Sequence, residues 1–295
     1  MKKITLIALV TGLIFSVCLF AEDGLGGQAG AFLRIPVGAR PSGLGNAFVA
    51  IADNANAAFW NPGGLYQIES TTLGAMYSMM TMDRHHYAGS FIYPYNSGTF
   101  SIMWNNFGVS DIDGRDIDGN PTSIFSDNET SISFGYCYYL PAAIGIGANF
   151  KYLIHSIEEN NATGIGFDLG IHKKITNLRI GASVSNLGAK MKWDTDSSLE
   201  EEIPTTVRAG AACEFEHIPV LICAEISKNA NEDPVYHFGS EVTLLKALIL
   251  RGGFNKGDVN FGASIKLTKY QIDYAYCPDV LNEGITSKFG LQISF

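Results

Sequence analysis

Hydrophobic and polar residues alternate along most of the chain that follows residue 70. Residues 131–140 read SISFGYCYYL, in which every second side chain up to 138 is apolar or aromatic and those between are small. A repeat of two residues predicts a β-strand with one apolar face and one small or polar face. The same pattern recurs to the C-terminus and predicts about fourteen antiparallel strands. We place them at 71–80, 86–94, 99–107, 130–140, 144–155, 163–173, 178–186, 204–215, 220–228, 235–243, 247–255, 259–267, 269–277 and 286–295.

Two all-β architectures produce such alternation, and they differ in where the apolar face points. In a soluble β-sandwich it points into the core, whereas in a transmembrane barrel it points to lipid and the lumen is polar. The small or polar face of this chain is rich in glycine, and tyrosines recur near the predicted strand ends, where a membrane-interface girdle would lie. These are Tyr77, Tyr87, Tyr93, Tyr95, Tyr138, Tyr139, Tyr152, Tyr270 and Tyr276. We therefore predict an all-β fold, a transmembrane outer-membrane β-barrel in contact with outer-membrane lipid.

The last predicted strand carries a further feature of this architecture. Residues 288–295 read KFGLQISF and alternate up to an aromatic C-terminus. This ending resembles the terminal-strand signal by which bacterial outer-membrane barrels are recognised by the barrel assembly machinery. The signal would consist of Phe289, Leu291, Ile293 and Phe295.

The polar face carries a charge in nearly every later strand, and neighbouring strands often bring opposite signs together. We interpret these charges as cross-strand ion pairs that pack the lumen and exclude bulk water. The alternative is that they line a pathway for a polar ligand. The residues are Lys151, Asp168, Arg179, Arg208, Glu225, Glu241, Arg251, Lys266, Asp273 and Lys288.

The first 21 residues have the pattern of a secretory signal peptide. Lys2 and Lys3 precede an apolar run that ends at Phe20, and we expect cleavage after Ala21. The mature chain is then expected in the cell outer membrane of a Gram-negative-type bacterium. The formal net charge is −9, without a basic cluster, which argues against a nucleic-acid partner.

The sequence contains little of the chemistry that an enzyme needs. No Ser/His/Asp set and no phosphate-binding glycine loop is recognisable, so we expect neither catalysis nor a cofactor. Cysteines 137, 213, 223 and 277 lie within strand patterns without the spacing of a metal site. We interpret them as small buried residues, with a disulfide between Cys213 and Cys223 as the alternative.

Long connections are predicted at 108–129 and 187–203, and the first contains the acidic stretch DIDGRDIDGN. Arg115 occupies a position that the calcium-loop template reserves for an oxygen ligand, and no glutamate follows at the required distance. We therefore interpret the stretch as a solvated acidic loop and predict no metal site. The calcium ligands of the alternative interpretation would be Asp111, Asp113, Asp116 and Asp118.

Residues 22–70 do not alternate. Leu44, Ala47, Phe48 and Ile51 have the spacing of one helix face, which predicts a short helix that starts near Pro41 and ends near 53–56. A segment this apolar needs to be buried, and the barrel lumen is the available space. We therefore divide the chain into a signal peptide (1–21), an N-terminal helical hatch or plug (22–70) and the barrel (71–295).

The hatch sequence GARPSGLGNAFVAIADNANAAFWNPGGL, residues 38–65, resembles the amino-terminal signature of the PorV/PorQ family. These proteins are distant relatives of the FadL-type outer-membrane transporters. Gly63 stands where the family usually has alanine. The matching residues are Gly38, Arg40, Gly43, Gly45, Ala47, Phe48, Val49, Ala50, Ala52, Asp53, Trp60, Asn61, Pro62, Gly64 and Leu65.

The resemblance implies a fourteen-stranded barrel with an inward-folded hatch, and it implies two functions. PorV-like proteins are accessories of type IX secretion, so the partners would be secreted protein cargo and the secretion translocon; the compact barrel favours this function. FadL-like proteins are passive transporters of hydrophobic small molecules such as fatty acids, which is the alternative, and a purely structural barrel is a third. The hatch residues expected to bind a ligand or to act as a gate are Phe48, Phe59, Trp60, Asn61, Pro62 and Gly63.

Overall fold

The computed structural model describes residues 28–215, 217–230, 232–245, 247–279 and 284–295. The predicted signal peptide lies outside the described residues. Two 3₁₀ helices and two short α-helices precede the strands: η1 (Ala31–Arg34), α1 (Ala39–Gly43), α2 (Ala57–Trp60) and η2 (Pro62–Gln67). The strands are β1 (Thr72–Met79), β2 (Arg84–Tyr95), β3 (Gly98–Arg115), β4 (Pro121–Leu140), β5 (Ile144–Ile157), β6 (Asn160–Ile175), β7 (Leu178–Trp193), β8 (Glu200–Glu202), β9 (Thr206–Glu214), β10 (Val220–Asn229), β11 (Val235–Leu244), β12 (Leu248–Asn255), β13 (Asp258–Lys266), β14 (Tyr270–Pro278) and β15 (Ile285–Ser294).

The strands form one closed antiparallel ring. Each long strand pairs with the next along the chain, and β1 pairs with β15 to close the ring, with Thr72 opposite Ser294. β9 follows β7 directly in the ring, and β8 is a three-residue strand that pairs only with the end of β7. The ring therefore has fourteen strands, as the alternation predicts. Closure gives every strand of the ring a partner on both sides, as a lipid-spanning sheet requires.

The two faces of the ring have opposite polarity. The outward side chains are mostly large and apolar and remain exposed, and all nine tyrosines of the predicted girdle are among the exposed residues. The inward side chains are small, polar or charged and most are buried, including Lys151, Asp168 and Glu225. This arrangement excludes the β-sandwich alternative, because a sandwich would bury its apolar face. Among the described residues, no helix is long and apolar enough to cross a membrane.

The two long connections are shorter than predicted. β3 continues to Arg115 and β4 begins at Pro121, so most of 108–129 is a paired hairpin with its turn at 116–120. β7 likewise continues to Trp193, and β8 lies within the remainder of 187–203. In the outer part of the β3–β4 hairpin, most side chains on both faces are at least partly exposed. The alternation of hydrophobic and polar residues is therefore lost there, although the two strands still pair.

The two ends of the ring differ in their connections. One end, which we call the short-turn end, contains Thr72, Ser294 and tight turns such as 96–97 and 176–177. The other, the long-loop end, contains the β3–β4 hairpin turn and the connection 194–205. Outer-membrane barrels have short periplasmic turns and longer outside loops. In an outer-membrane barrel, that rule would place the short-turn end in the periplasm.

Three further predictions need correction. The helix predicted from Pro41 to 53–56 ends at Gly43, because Gly45 and Asn46 both have left-handed φ angles, 64° and 67°, and start an irregular path. Cys213 and Cys223 are both free. Cys223 lies opposite Ala212, the neighbour of Cys213, so the two thiols belong to opposite faces. Lys266 is exposed and does not lie in the buried lumen.

Candidate functional site

The described part of the hatch, residues 28–70, lies inside the ring of strands. α1 packs against β13 and β14 on one side of the lumen, whereas η2 packs against β4, β5 and β6 on the other. Between Val37 and Leu65 every residue is buried except Asp53, Asn56 and Phe59, which are partly buried. The hatch therefore fills the middle of the barrel.

Glycines on the inner strand faces let the hatch backbone approach the wall. A Cβ added to Gly147 would lie 2.3 Å from the carbonyl carbon of Pro62, and one added to Gly253 would lie 2.0 Å from the nitrogen of Gly45. Real Cβ atoms do not come this close to a backbone atom. The glycine-rich face that the sequence shows is thus the surface against which the hatch packs. Gly145, Gly170, Gly181 and Gly239 approach hatch backbone in the same way.

Asn61 begins η2 and connects it to the rest of the hatch and to the wall. Its Oδ1 accepts a hydrogen bond from the backbone N–H of Gly63 at 2.9 Å, which is a helix cap. Pro62 follows at the first helical position, where its missing N–H is not needed. The Asn61 Nδ2 donates to the carbonyl oxygens of Val49 at 2.8 Å and Ile171 of β6 at 3.0 Å.

Gly63 lies in the tightest part of this contact. A Cβ at this position would be 2.7 Å from the carbonyl carbon of Gly170, and a Cβ at Gly145 would be 2.1 Å from the Gly63 oxygen. An alanine at 63 would therefore push η2 away from β5 and β6. This close approach explains why glycine stands at the position where the resembled signature has alanine.

The three aromatic hatch residues differ in environment. Phe48 and Trp60 are buried, and their rings meet edge to face with centroids 6.1 Å apart. The Trp60 Nε1 donates to the carbonyl oxygen of Val37 at 2.9 Å, so its polar atom is satisfied within the hatch. Phe59 is only partly buried, with its centroid 5.6 Å from that of Trp60, and it lines an internal cavity.

Arg40 and Asp53 form the centre of a row of charges across the lumen. Nη1 of Arg40 lies 2.5 Å from Oδ1 of Asp53, and Nη1 of Arg179 on β7 lies 2.7 Å from Oδ2. Nε of Arg40 lies 2.9 Å from Oε2 of Glu241 on β11. Burial alone would raise the pKa of Asp53, but the guanidiniums of Arg40 and Arg179 lower this pKa to about 2. The ionised Asp53 thus holds the hatch to the wall.

The row continues into the wall on both sides of the hatch. Glu241 also accepts from Nε of Arg251 at 2.6 Å, and Nη1 of Arg251 lies 3.4 Å from Asp273. On the other side, Nη2 of Arg179 lies 3.0 Å from Glu214. The prediction that lumen charges pair across strands is confirmed for these residues.

A polar cluster connects the hatch to a bulge in β7. Asn186 has a φ angle of 61°, and its backbone N–H donates to Oδ1 of Asp168 at 2.9 Å. Lys151 pairs with the same carboxylate at 2.8 Å. Asn149 donates both to Asp168 at 3.0 Å and to the carbonyl oxygen of Ala58 at 2.7 Å. The β7 bulge therefore lies beside a buried ion pair that Asn149 links to the hatch.

Glu225 and Arg208 form a further contact between wall and hatch. Oε2 of Glu225 accepts the backbone N–H groups of Phe48 and Val49, both at 2.8 Å. Nε of Arg208 lies 3.7 Å from the other carboxylate oxygen. The Arg208 guanidinium carbon lies 5.4 Å from the centroid of the Trp60 ring, a cation–π distance.

A cavity of about 170 Å³ remains between the hatch and β9–β15. Its hatch side includes Phe59 and Trp60, and its wall side includes Arg208 and Lys288. Asn229 and Lys256, which also line it, lie at or next to strand ends of the long-loop end. The cavity is thus on the side of the hatch towards the long-loop end.

The remaining predicted residues lie outside this region. Phe289, Leu291 and Phe295 of the proposed assembly signal are exposed, and Ile293 is partly exposed, all on the last strand or at its end. Their role in assembly stays a prediction.

The acidic stretch organises a turn. Asp116 accepts the backbone N–H groups of Asp118 and Asn120 at 2.9 and 2.8 Å. Asp111 and Asp113 precede it on β3. Across the described ranges, no group of three or more His, Cys, Asp or Glu side chains is placed to hold a metal ion. The calcium alternative therefore gains no support.

Sequence reasoning did not single out all the residues that hold the hatch. Arg40 and Asp53 entered only as matches to the resembled signature, and Asn149 was not named. Each is a polar side chain on a face otherwise occupied by glycine or by apolar hatch residues. That contrast is the signal that would have identified them.

With this geometry, the fold can be compared with known proteins. No protein-family model matches the chain, and no curated protein matches it. The toluene transporter TbuX of Ralstonia pickettii is similar with a TM-score of 0.64 at 13% identity, over 88% of this chain and 98% of TbuX. The monoaromatic hydrocarbon channel CymD gives 0.65 at 14% identity, over 88% and 97%. A Pseudomonas aeruginosa FadL homologue gives 0.58 at 9% identity, over 87% and 97%.

These similarities define the class of fold. The chain has an all-β fold, a closed fourteen-stranded antiparallel barrel like that of the FadL-type outer-membrane proteins. The finer resemblance to the PorV/PorQ family is not confirmed by the comparisons.

Proposed function

We propose that this protein is a passive outer-membrane channel for small hydrophobic or amphipathic molecules, and not an enzyme. The signal peptide would direct it to the outer membrane, and the hatch closes the lumen at rest. Passage then requires part of the hatch to move away from the wall.

One observation carries the proposal: the lumen of a FadL-like barrel is filled by a hatch held through polar contacts. Asp53 and Glu225 are examples, since each joins the hatch to a strand through hydrogen bonds or ion pairs. Such contacts can exchange for water when the hatch moves. The proteins of similar fold, TbuX and CymD, are described as a toluene transporter and a monoaromatic hydrocarbon channel.

A second candidate is the type IX secretion accessory that the sequence resemblance implies. Its support is the signature at 38–65, whose Arg40, Asp53 and Asn61 all make defined contacts in the hatch. Those contacts account for the signature by packing alone, so they favour neither function. We rank secretion below small-molecule passage because the proteins of similar fold are described as a toluene transporter and a monoaromatic hydrocarbon channel.

Uptake by intact cells tests the channel directly. Cells that lack the gene should take up radiolabelled toluene and oleate more slowly than cells that carry it. Equal uptake by both strains would refute the channel. An outer-membrane and surface proteome changed by the deletion, with uptake unchanged, would support the secretion candidate instead.

A reversible crosslink tests whether the hatch must move. A Cβ added at Gly290 of β15 would lie 3.7 Å from the Cβ of Ala39, within the range of a disulfide. The double variant Ala39→Cys/Gly290→Cys should therefore lock α1 to the wall when oxidised. The variants are made in a Cys277→Ala background, because Ala39 packs in one cluster with the free thiol of Cys277. Uptake should then fall when the lock forms and recover on reduction, whereas the two single variants should not respond to reductant. Unchanged uptake in the locked protein would refute hatch movement at α1.

A further inference from the structure

The cavity between the hatch and β9–β15 contains an unusual cation. Arg208 of β9 is 9% exposed and lines the cavity. Its nearest carboxylate oxygen, on Glu225, is 3.7 Å away, beyond hydrogen-bond range, and the other Glu225 oxygen already accepts from Phe48 and Val49. Among the described residues the Arg208 guanidinium donates no hydrogen bond.

An arginine carries five N–H donors in a planar fork, and leaving a buried charge without hydrogen bonds is costly. The Arg208 side-chain nitrogens make no hydrogen bond but keep some solvent exposure, so they face the open space of the cavity. A carboxylate accepts two N–H groups of such a fork side by side. The unused donors therefore match an anionic oxygen pair inside the cavity.

The charges around the cavity favour an anion. Four basic residues line it, against two acidic ones, on a chain whose formal net charge is −9. Asp279, one of the two acids, is paired with Arg84 at 2.9 Å. The basic residues are Arg34, Arg208, Lys256 and Lys288, and the acidic ones are Asp258 and Asp279.

The rest of the lining sets the size and character of the ligand. Phe59 and Trp60 give the cavity an aromatic side next to Arg208. Its volume of about 170 Å³ compares with the roughly 150 Å³ of a cavity that holds one benzene molecule. A single ring with a carboxylate fits this space.

We propose that this cavity is a binding site for a small aromatic or short aliphatic carboxylate, with the carboxylate on Arg208 and the apolar part against Phe59 and Trp60. This inference rests on the proposed channel function and specifies that the substrate carries a negative charge. The neutral hydrocarbon of the same shape would then be the poorer ligand.

Calorimetry on the purified full chain in detergent, with benzoate and toluene as matched probes, tests the site. Benzoate should bind and toluene should bind more weakly. Arg208→Gln should weaken benzoate about tenfold or more, because hydrogen bonds to charged groups contribute about 1.5–3 kcal/mol, and should change toluene little. Arg208→Lys should retain part of the affinity.

Controls separate lost binding from lost folding. Arg115→Gln removes an exposed arginine of the β3–β4 hairpin and should leave benzoate binding unchanged. Each variant should keep the heat-dependent electrophoretic mobility of a folded barrel. The inference is overturned if benzoate does not bind, if toluene binds as tightly, or if folded Arg208→Gln binds benzoate like the unmodified protein. Uptake of toluene by cells would still support the channel in those cases.

Discussion

Gly63 of the hatch packs directly on Gly170 of β6, with room for no additional atom between them. A Cβ on Gly63 would lie 2.7 Å from the Gly170 carbonyl carbon. Backbone-to-backbone contact of this kind holds the start of η2 on the inner face of the sheet. It also makes the position sensitive to a single methyl group.

Gly63→Ala should therefore displace η2 while the ring of strands stays closed. We expect a loss of about 1–3 kcal/mol of stability, the usual cost of overpacking, and faster proteolysis of the hatch. Limited proteolysis and denaturant unfolding in detergent would measure both. Gly252→Ala is the matched control, because nothing lies within 4 Å of a Cβ at Gly252. Equal behaviour of the two variants would contradict the packing argument.

The strands were predictable because each has two different environments. β5 was predicted at 144–155 and is observed at Ile144–Ile157, since lipid on one side and the lumen on the other impose a two-residue period. The outer part of the β3–β4 hairpin was not predicted, because both of its faces are at least partly exposed. Strand pairing in this part of the hairpin therefore produces no alternation of hydrophobic and polar residues in the sequence.

The hatch was only partly predictable, for a different reason. The resembled signature placed Arg40 and Asp53 near each other in sequence, but Arg40 contacts Glu241, which is 201 residues away. No local pattern contains that separation. The glycine-rich strand face indicated that something would pack closely inside the barrel, but it did not identify Gly45 or Gly63 as the contacting backbone.

Asn61 supplies three hydrogen bonds that no smaller residue can replace. Asn61→Ala would remove the cap on Gly63 and leave the carbonyl oxygens of Val49 and Ile171 without this donor. Each loss of this kind costs about 1–3 kcal/mol, so we expect a total of about 3 kcal/mol or more from unfolding measurements. Asn120→Ala, at the exposed turn of the β3–β4 hairpin, should cost less than about 1 kcal/mol. A comparable loss in both would show that the Asn61 bonds add nothing specific.

The two adjacent aromatics should respond differently to truncation. Trp60→Ala would remove the contact with Phe48 and the hydrogen bond to Val37, and we expect about 3–5 kcal/mol of destabilisation or failure to assemble. Phe59→Ala removes a partly buried ring that lines the cavity, so the barrel should fold and its ligand binding should change. Electrophoretic mobility and benzoate calorimetry measure the two effects. A folded Trp60→Ala protein with altered uptake would instead assign Trp60 to a gate.

The contact of Asp53 with Arg40 and Arg179 predicts how the hatch responds to acid. Because the folded-state pKa of Asp53 is lowered to about 2, its ionised form stabilises the folded state fully above the unfolded-state pKa of about 4. This contribution, on the order of 2 kcal/mol, is lost as the pH falls from about 4 through 2. The protection of hatch amides against hydrogen exchange, taken relative to the intrinsic exchange rate at each pH, should fall over that range. Asp53→Asn should show low protection already at neutral pH and a flat protection profile below pH 4; an unchanged acid profile would assign the effect to other carboxylates.

The C-terminal aromatic residue should affect assembly more than stability. Phe295 is exposed at the end of β15, and its backbone N–H donates to the carbonyl oxygen of Thr71, next to the β1–β15 closure. Its side chain contributes little to packing, so a strong effect of Phe295→Ala would arise from recognition before the ring closes. We expect less folded barrel in the outer membrane of living cells but equal stability of the protein that does assemble. Phe261→Ala, an equally outward and exposed residue of β13, is the control, and equal yields of the two variants in membranes would contradict the signal.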